Sequence, residues 1–162
     1  MTDPLAAVAA LEGVGSAAAH ARDAVDALLR HPAMRRGAAA VAAESAMQAA
    51  RADAELEGGS PDDPDDPVLK GSLRLGAELP SLARTWDRAP LQALARAHVL
   101  VARDLEPADD LGRVRSGADR VSQLARLTTE PTRAPGVVVA AVVHGELATL
   151  APFGVADRVV AR

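Results

Sequence analysis

The sequence predicts an all-α protein, a helical bundle with a core of small side chains. Three observations predict it. Alanine, the strongest helix former, fills 38 of the 162 positions. Aromatic residues are reduced to Trp86 and Phe153, which excludes an aromatic-rich β-sandwich. Residues on one face recur at three- and four-residue spacing, as in Leu91, Leu94, His98 and Val101. The length fits about one domain and suffices to bury a core without staples.

Each helix has a start or stop signal. Thr2 or Asp3 caps a first helix with Pro4 at its first position, ending before Gly13 and Gly15. Ser16 caps a second to about Leu29, with Val25, Leu28 and Leu29 as its stronger apolar residues. Pro32 opens a third that runs through alanines to Glu57, and Gly58 and Gly59 end it. Residues 58–67, GGSPDDPDDP, read as an acidic, Pro-rich linker, because like charges repel and each proline blocks helix propagation. Helix resumes at Pro67 and is expected to break or kink at Pro80. Pro90 opens Leu91–Leu105, and a further helix carries Val121, Leu124 and Leu127. The valine run after Pro135 has strand propensity, but Ala140, His144, Leu147 and Ala148 continue a 3.6-residue period, so helix is expected. PFGVADRVVAR reads as a loop turning into a last helix.

Charge and cysteine content remove several function classes. The net charge is −4, and Asp62, Asp63, Asp65 and Asp66 account for it, so no basic face for nucleic acid is expected. Without cysteine there are no disulfides, thiolate metal sites or Cys nucleophiles. No signal peptide is read at the start, and the uncharged run 136–143 is far shorter than the ~20 residues of a membrane span. A cytoplasmic protein without membrane contact is expected. His20, His31, His98 and His144 lie at no metal-ligand spacing, and no metal site is expected.

Gly13-Val14-Gly15-Ser16-Ala17-Ala18 fits the letters of a dinucleotide fingerprint. An oxidoreductase reading on that string lacks a physical basis, because the fingerprint needs a strand before it and PLAAVAALE is helical in character.

The C-terminal stretch AAVVHGELATLAPFGVADRVVAR is more informative. It resembles the core of Fic (Fido) domains, helical proteins that typically transfer AMP from ATP to a hydroxyl of a target protein. The family segment runs roughly A-H-x-x-F-x-x-I-H-P-F-x-D-G-N-G-R-x-x-R. Laid on it without gaps, His144, Pro152, Phe153 and Arg162 match, Leu150 fills the aliphatic site, and Asp157 stands for the asparagine. The departures fall on the chemistry. The general base position is Ala151, which has no proton acceptor. The magnesium-holding acid is Val155, which cannot ligate a hard cation. The phosphate nest glycines are Ala156 and Arg158, and the first arginine is Val159, with Arg158 one residue away.

A second string strengthens the resemblance. Many Fic proteins carry an inhibitory helix with an S/T-x-x-x-E-G pattern upstream of the core. Here Asp53 stands at the hydroxyl position, and Glu57 and Gly58 match. In the family that glutamate pairs with the last arginine, so the resemblance implies a Glu57–Arg162 pair. Breaking such a pair, if fully buried, costs about 3–5 kcal/mol. LQALARAHVLVARDL and LGRVR are similar to a family helix and the start of its substrate flap. The family core continues for several helices past this motif, so a core ending at Arg162 is expected to be incomplete.

The chain then divides into N-terminal helices (1–57) with an inhibitory-like segment, the linker 58–67, and a partial Fic-like core (68–162). The expected function is that of a degenerate Fic-like domain, a protein-binding or regulatory module inactive in AMP transfer and needing no cofactor. The alternative is a nucleotide-using transferase with an altered site. In it Arg158 and Arg162 hold phosphates, His144 acts as base, and ATP or Mg enters. A third reading is an interaction protein unrelated to the family whose Ala-rich helices complete their core as a homo-oligomer. It places Glu57 and Arg162 far apart.

Overall fold

Proline and aspartate set the helix starts. The structure, a computed structural model, describes residues 3–162; Thr2, an alternative first cap, lies outside them. Asp3 accepts the Ala6 N–H at 3.0 Å and caps α1 (Pro4–Ala9). Then come α2 (Val14–Arg30), α3 (Pro32–Leu56), α4 (Pro67–Trp86), α5 (Pro90–Ala102), a 3₁₀ turn (Ala108–Asp110), α6 (Ala118–Thr129), α7 (Gly136–Leu150) and α8 (Asp157–Ala161). The fold is all-α, with no strand among the described residues. None of these helices is long and apolar enough to cross a membrane.

Gly13 sits at φ 80° as the residue before α2, in a turn between two helices. No strand precedes it among the described residues, where a dinucleotide fingerprint requires one. Of the break or kink expected at Pro80, the break does not occur. Pro80 lies inside α4, with Leu75 and Leu82 buried on either side of it. Packing of α4 against both α3 and α5 holds the helix through the one missing N–H. The distortion falls in α3 instead, at Gly37, whose φ and ψ of −142° and 26° are non-helical. α5 ends at Ala102, short of Leu105, where Arg103 begins a turn.

The acidic stretch is tied at its end. The Asp66 carboxylate accepts N–H groups from Ser60, Val68 and Leu69, each at 2.9 Å, and starts α4. Burial pushes Asp66 up, but those donors, Leu69 foremost, outweigh it and hold the carboxyl below its usual range. A side chain at Gly59 would collide with this carboxylate.

Two apolar clusters meet on α5 and α8. One joins Ala50 and Ala54 of α3, Leu69 and Leu75 of α4, Val101 of α5 and Val159 of α8. It spans both sides of the 58–67 stretch. The second joins Leu94, Val121, Leu124, Leu147, Phe153 and Ala161. The α4–α5 contact depends on Gly71, because a Cβ there would overlap the Val101 carbonyl. Gly71→Ala is therefore expected to force the helices apart at about 1–3 kcal/mol. Urea unfolding checks this, and an unchanged midpoint contradicts it.

Candidate functional site

The turn between α7 and α8 carries the residues singled out by the sequence. α7 ends on Ala151 at φ 43°, and Ala156 precedes α8 at φ 56°. These are the two non-glycine residues in the left-handed region among those described, and both flank this one loop. Asp157 closes it, accepting the Phe153 N–H at 2.9 Å and the Gly154 N–H at 2.6 Å. Two N–H groups of the loop thus already serve a carboxylate. Ala151 brings a methyl group and Val155 a hydrocarbon, neither of which accepts a proton or binds a cation.

Phe153 is completely buried and stacks on His98, with ring centroids 4.3 Å apart and planes 8° from parallel. The Pro152 carbonyl accepts the N–H groups of Arg115 at 2.7 Å and Ser116 at 3.2 Å. Residues 112–117 are thereby joined to the α7–α8 loop. His98 Nδ1 accepts the Gly112 N–H at 2.9 Å, which fixes a neutral ring with its proton on Nε2. Beside it Glu106, whose side chain is 4% exposed, meets Arg115 Nη2 at 2.9 Å. Burial holds His98 below its ordinary value of 6.5 against the pull of Glu106 and Asp157.

That depression has a sign. The unfolded chain takes up a proton near pH 6.5, whereas the folded chain resists it. The stability tied to His98 is present above that pH and lost as the pH falls through and below it. Urea unfolding between pH 8 and pH 5 should show this loss, and His98→Gln should flatten the slope while lowering stability at the alkaline end. A slope that survives the substitution contradicts the assignment.

On the other side of α8, Arg158 and Arg162 are four residues apart and so share a face. That face meets α3. Arg158 Nη1 donates to the Leu56 carbonyl at 3.3 Å, at the end of α3. Arg162 Nη2 lies 2.7 Å from Asp53 Oδ2 and donates to Ser72 Oγ at 3.1 Å. Ser72 in turn donates to Asp53. Burial pushes the Asp53 carboxyl above its ordinary value, and the Ser72 hydroxyl and Arg162 guanidinium oppose the rise.

The sequence expectation of a Glu57–Arg162 pair is thus corrected. The last turn of α3 and the end of α8 are together, as that pair required, but the carboxylate is Asp53. Glu57 is the C-cap of α3, its N–H still bonded to the Asp53 carbonyl, and its side chain stays exposed and makes no ion pair among the described residues. Gly58 follows at φ 78°, in the turn that leaves the helix. An unrelated interaction protein was expected to place Glu57 and Arg162 far apart; the segments that carry them meet, through Asp53 and Arg162.

No protein-family model, curated protein or solved structure matches this chain.

His144 Nδ1 lies 2.9 Å from the Ala161 carbonyl, which only accepts, so the ring donates and ties α7 to α8. His20 and His31 are exposed, and His31 Nδ1 accepts the Ala33 N–H at the start of α3. No group of three or more His, Asp or Glu among the described residues is placed to hold a metal ion. Sequence reasoning missed Ser72, Glu106 and Arg115. Ser72 had a readable signal: it interrupts the core-facing positions Val68, Leu69 and Leu75 of α4 with a hydroxyl.

Proposed function

We propose that this chain is a Fic-like helical module without AMP-transfer activity, a cytoplasmic domain that binds a protein partner and regulates it. The observation that carries the reading is the commitment of Arg162 to Asp53 and Ser72. The upstream helix holds the last arginine of the motif as a structural clasp. Three further features support it. Ala151 offers no base, Val155 offers no metal ligand, and Asp157 sets a negative charge beside the nest positions, where it repels a phosphate. No cofactor is required for this role.

The alternative, a transferase using ATP and Mg, asks Arg158 and Arg162 to release α3 and rebind phosphate against the charge of Asp157. Incubation with labelled ATP, Mg and candidate target proteins separates the two readings. The module predicts no transferred label and no heat on titration with ATP, ADP or nucleotide sugars. Micromolar nucleotide binding or label transfer that Arg162→Ala abolishes overturns it.

A further inference from the structure

We propose that two copies of this chain assemble, the C-terminal half of α2 from each lying in an apolar groove of the other. The first observation is surface area. A folded monomer of 16.6 kDa exposes about 7,600 Å² by the usual size scaling, whereas this chain exposes 10083 Å². The excess is about 2,500 Å² per chain, and obligate dimers bury about 2,000–5,000 Å² in total.

Part of the exposed surface lies in one arm. Between Ala19 and Ser45, the end of α2 and the start of α3, no residue is buried. The arm carries a ridge at helical spacing, Val25, Leu28 and Leu29, which are 54–58% exposed. A helix has little reason to present such a ridge to water, since most helical stability comes from packing an apolar face.

The second observation is the recipient. A groove of about 690 Å³ opens between α3, α4, α5 and α8, with Ala46, Ala49, Leu79, Trp86, Leu94 and Val160 among its walls. Along α4 it runs from Ser72 to Trp86, about 21 Å at 1.5 Å per residue. Residues 19–30 of α2 span about 17 Å by the same rise. The alanine walls leave the depth that leucine side chains fill, and the ridge has the i, i+3, i+4 register of helix-in-groove recognition. Exchange of ridge and groove between two copies is closed and self-complementary, so it stops at a dimer.

Sedimentation equilibrium of the intact chain tests this. The expected species has twice the 16.6 kDa chain mass. Leu28→Asp with Leu29→Asp removes the ridge, and Ala49→Arg fills the groove. Each is expected to weaken the dimer by at least about tenfold. Mixing the two variants restores one intact contact and should yield a heterodimer. A folded monomer at the highest soluble concentration overturns the proposal, as does a dimer that either variant leaves intact. Neither outcome bears on AMP transfer, so this inference and the proposed function stand or fall separately.

Discussion

Phe153→Ala is expected to destabilise the chain by about 3–5 kcal/mol, the usual cost of truncating a fully buried aromatic. The ring is 0% exposed and packs with Leu94, Val121, Leu124 and Leu147, so three helices line the space it leaves. It also loses the stack on His98, and with it the alignment of the Pro152 carbonyl that holds Arg115 and Ser116. A domain typically has about 5–15 kcal/mol in total, so this is a large share. Urea unfolding measures it. Phe153→Leu should recover most of the loss, because a large apolar side chain refills the site. A cost of less than about 1 kcal/mol for Phe153→Ala would place the ring outside the core.

Arg162→Ala is the second large effect. Asp53 is 5% exposed on its side chain and would keep only Ser72 as a partner. Breaking a fully buried pair costs about 3–5 kcal/mol; Arg162 is 42% exposed, which reduces the expectation to about 2–3 kcal/mol. Asp53→Asn should cost less, because it leaves a half-exposed guanidinium in water and no buried charge. The pH dependence has a definite sign. Asp53 already has a raised folded value, and losing the guanidinium raises it further. Stability from a raised carboxyl is present below its unfolded value and lost as the pH rises through the folded one. The deficit of Arg162→Ala is therefore largest at neutral pH and shrinks in acid. Parallel urea curves at pH 7 and pH 4.5, at one protein concentration, show it. A deficit that grows in acid contradicts the burial of Asp53.

Four helix starts were legible because they rest on local chemistry, whereas that of α2 was not: Ser16, expected as its cap, lies inside a helix that Gly13 precedes. Pro4, Pro32, Pro67 and Pro90 each stand at the first position of a helix, where the missing N–H costs nothing. Pro80 was misleading for the opposite reason. Its effect depends on what packs on both sides of α4, and tertiary contacts overrode the local preference. The valine run of α7 was readable as helix from its period despite its strand propensity.

The site was half legible. The sequence marked the two segments that meet, yet assigned the wrong carboxylate. Asp53 and Glu57 are four apart and so share a helical face, which spacing alone does not divide. Burial does: Asp53 is 4% exposed, whereas Glu57, the C-cap of α3, is exposed. The His98–Phe153 stack and the Glu106–Arg115 pair had no signal in spacing, because each joins residues from separate elements across a loop.

The most direct measurement is a double-mutant cycle between Asp53→Asn and Arg162→Gln, read by urea unfolding at pH 7. A structural clasp predicts that the two substitutions interact, with a coupling energy of about 1–2 kcal/mol. Strict additivity would mean the arginine is free of α3, and its guanidinium would then be available to an anionic ligand instead.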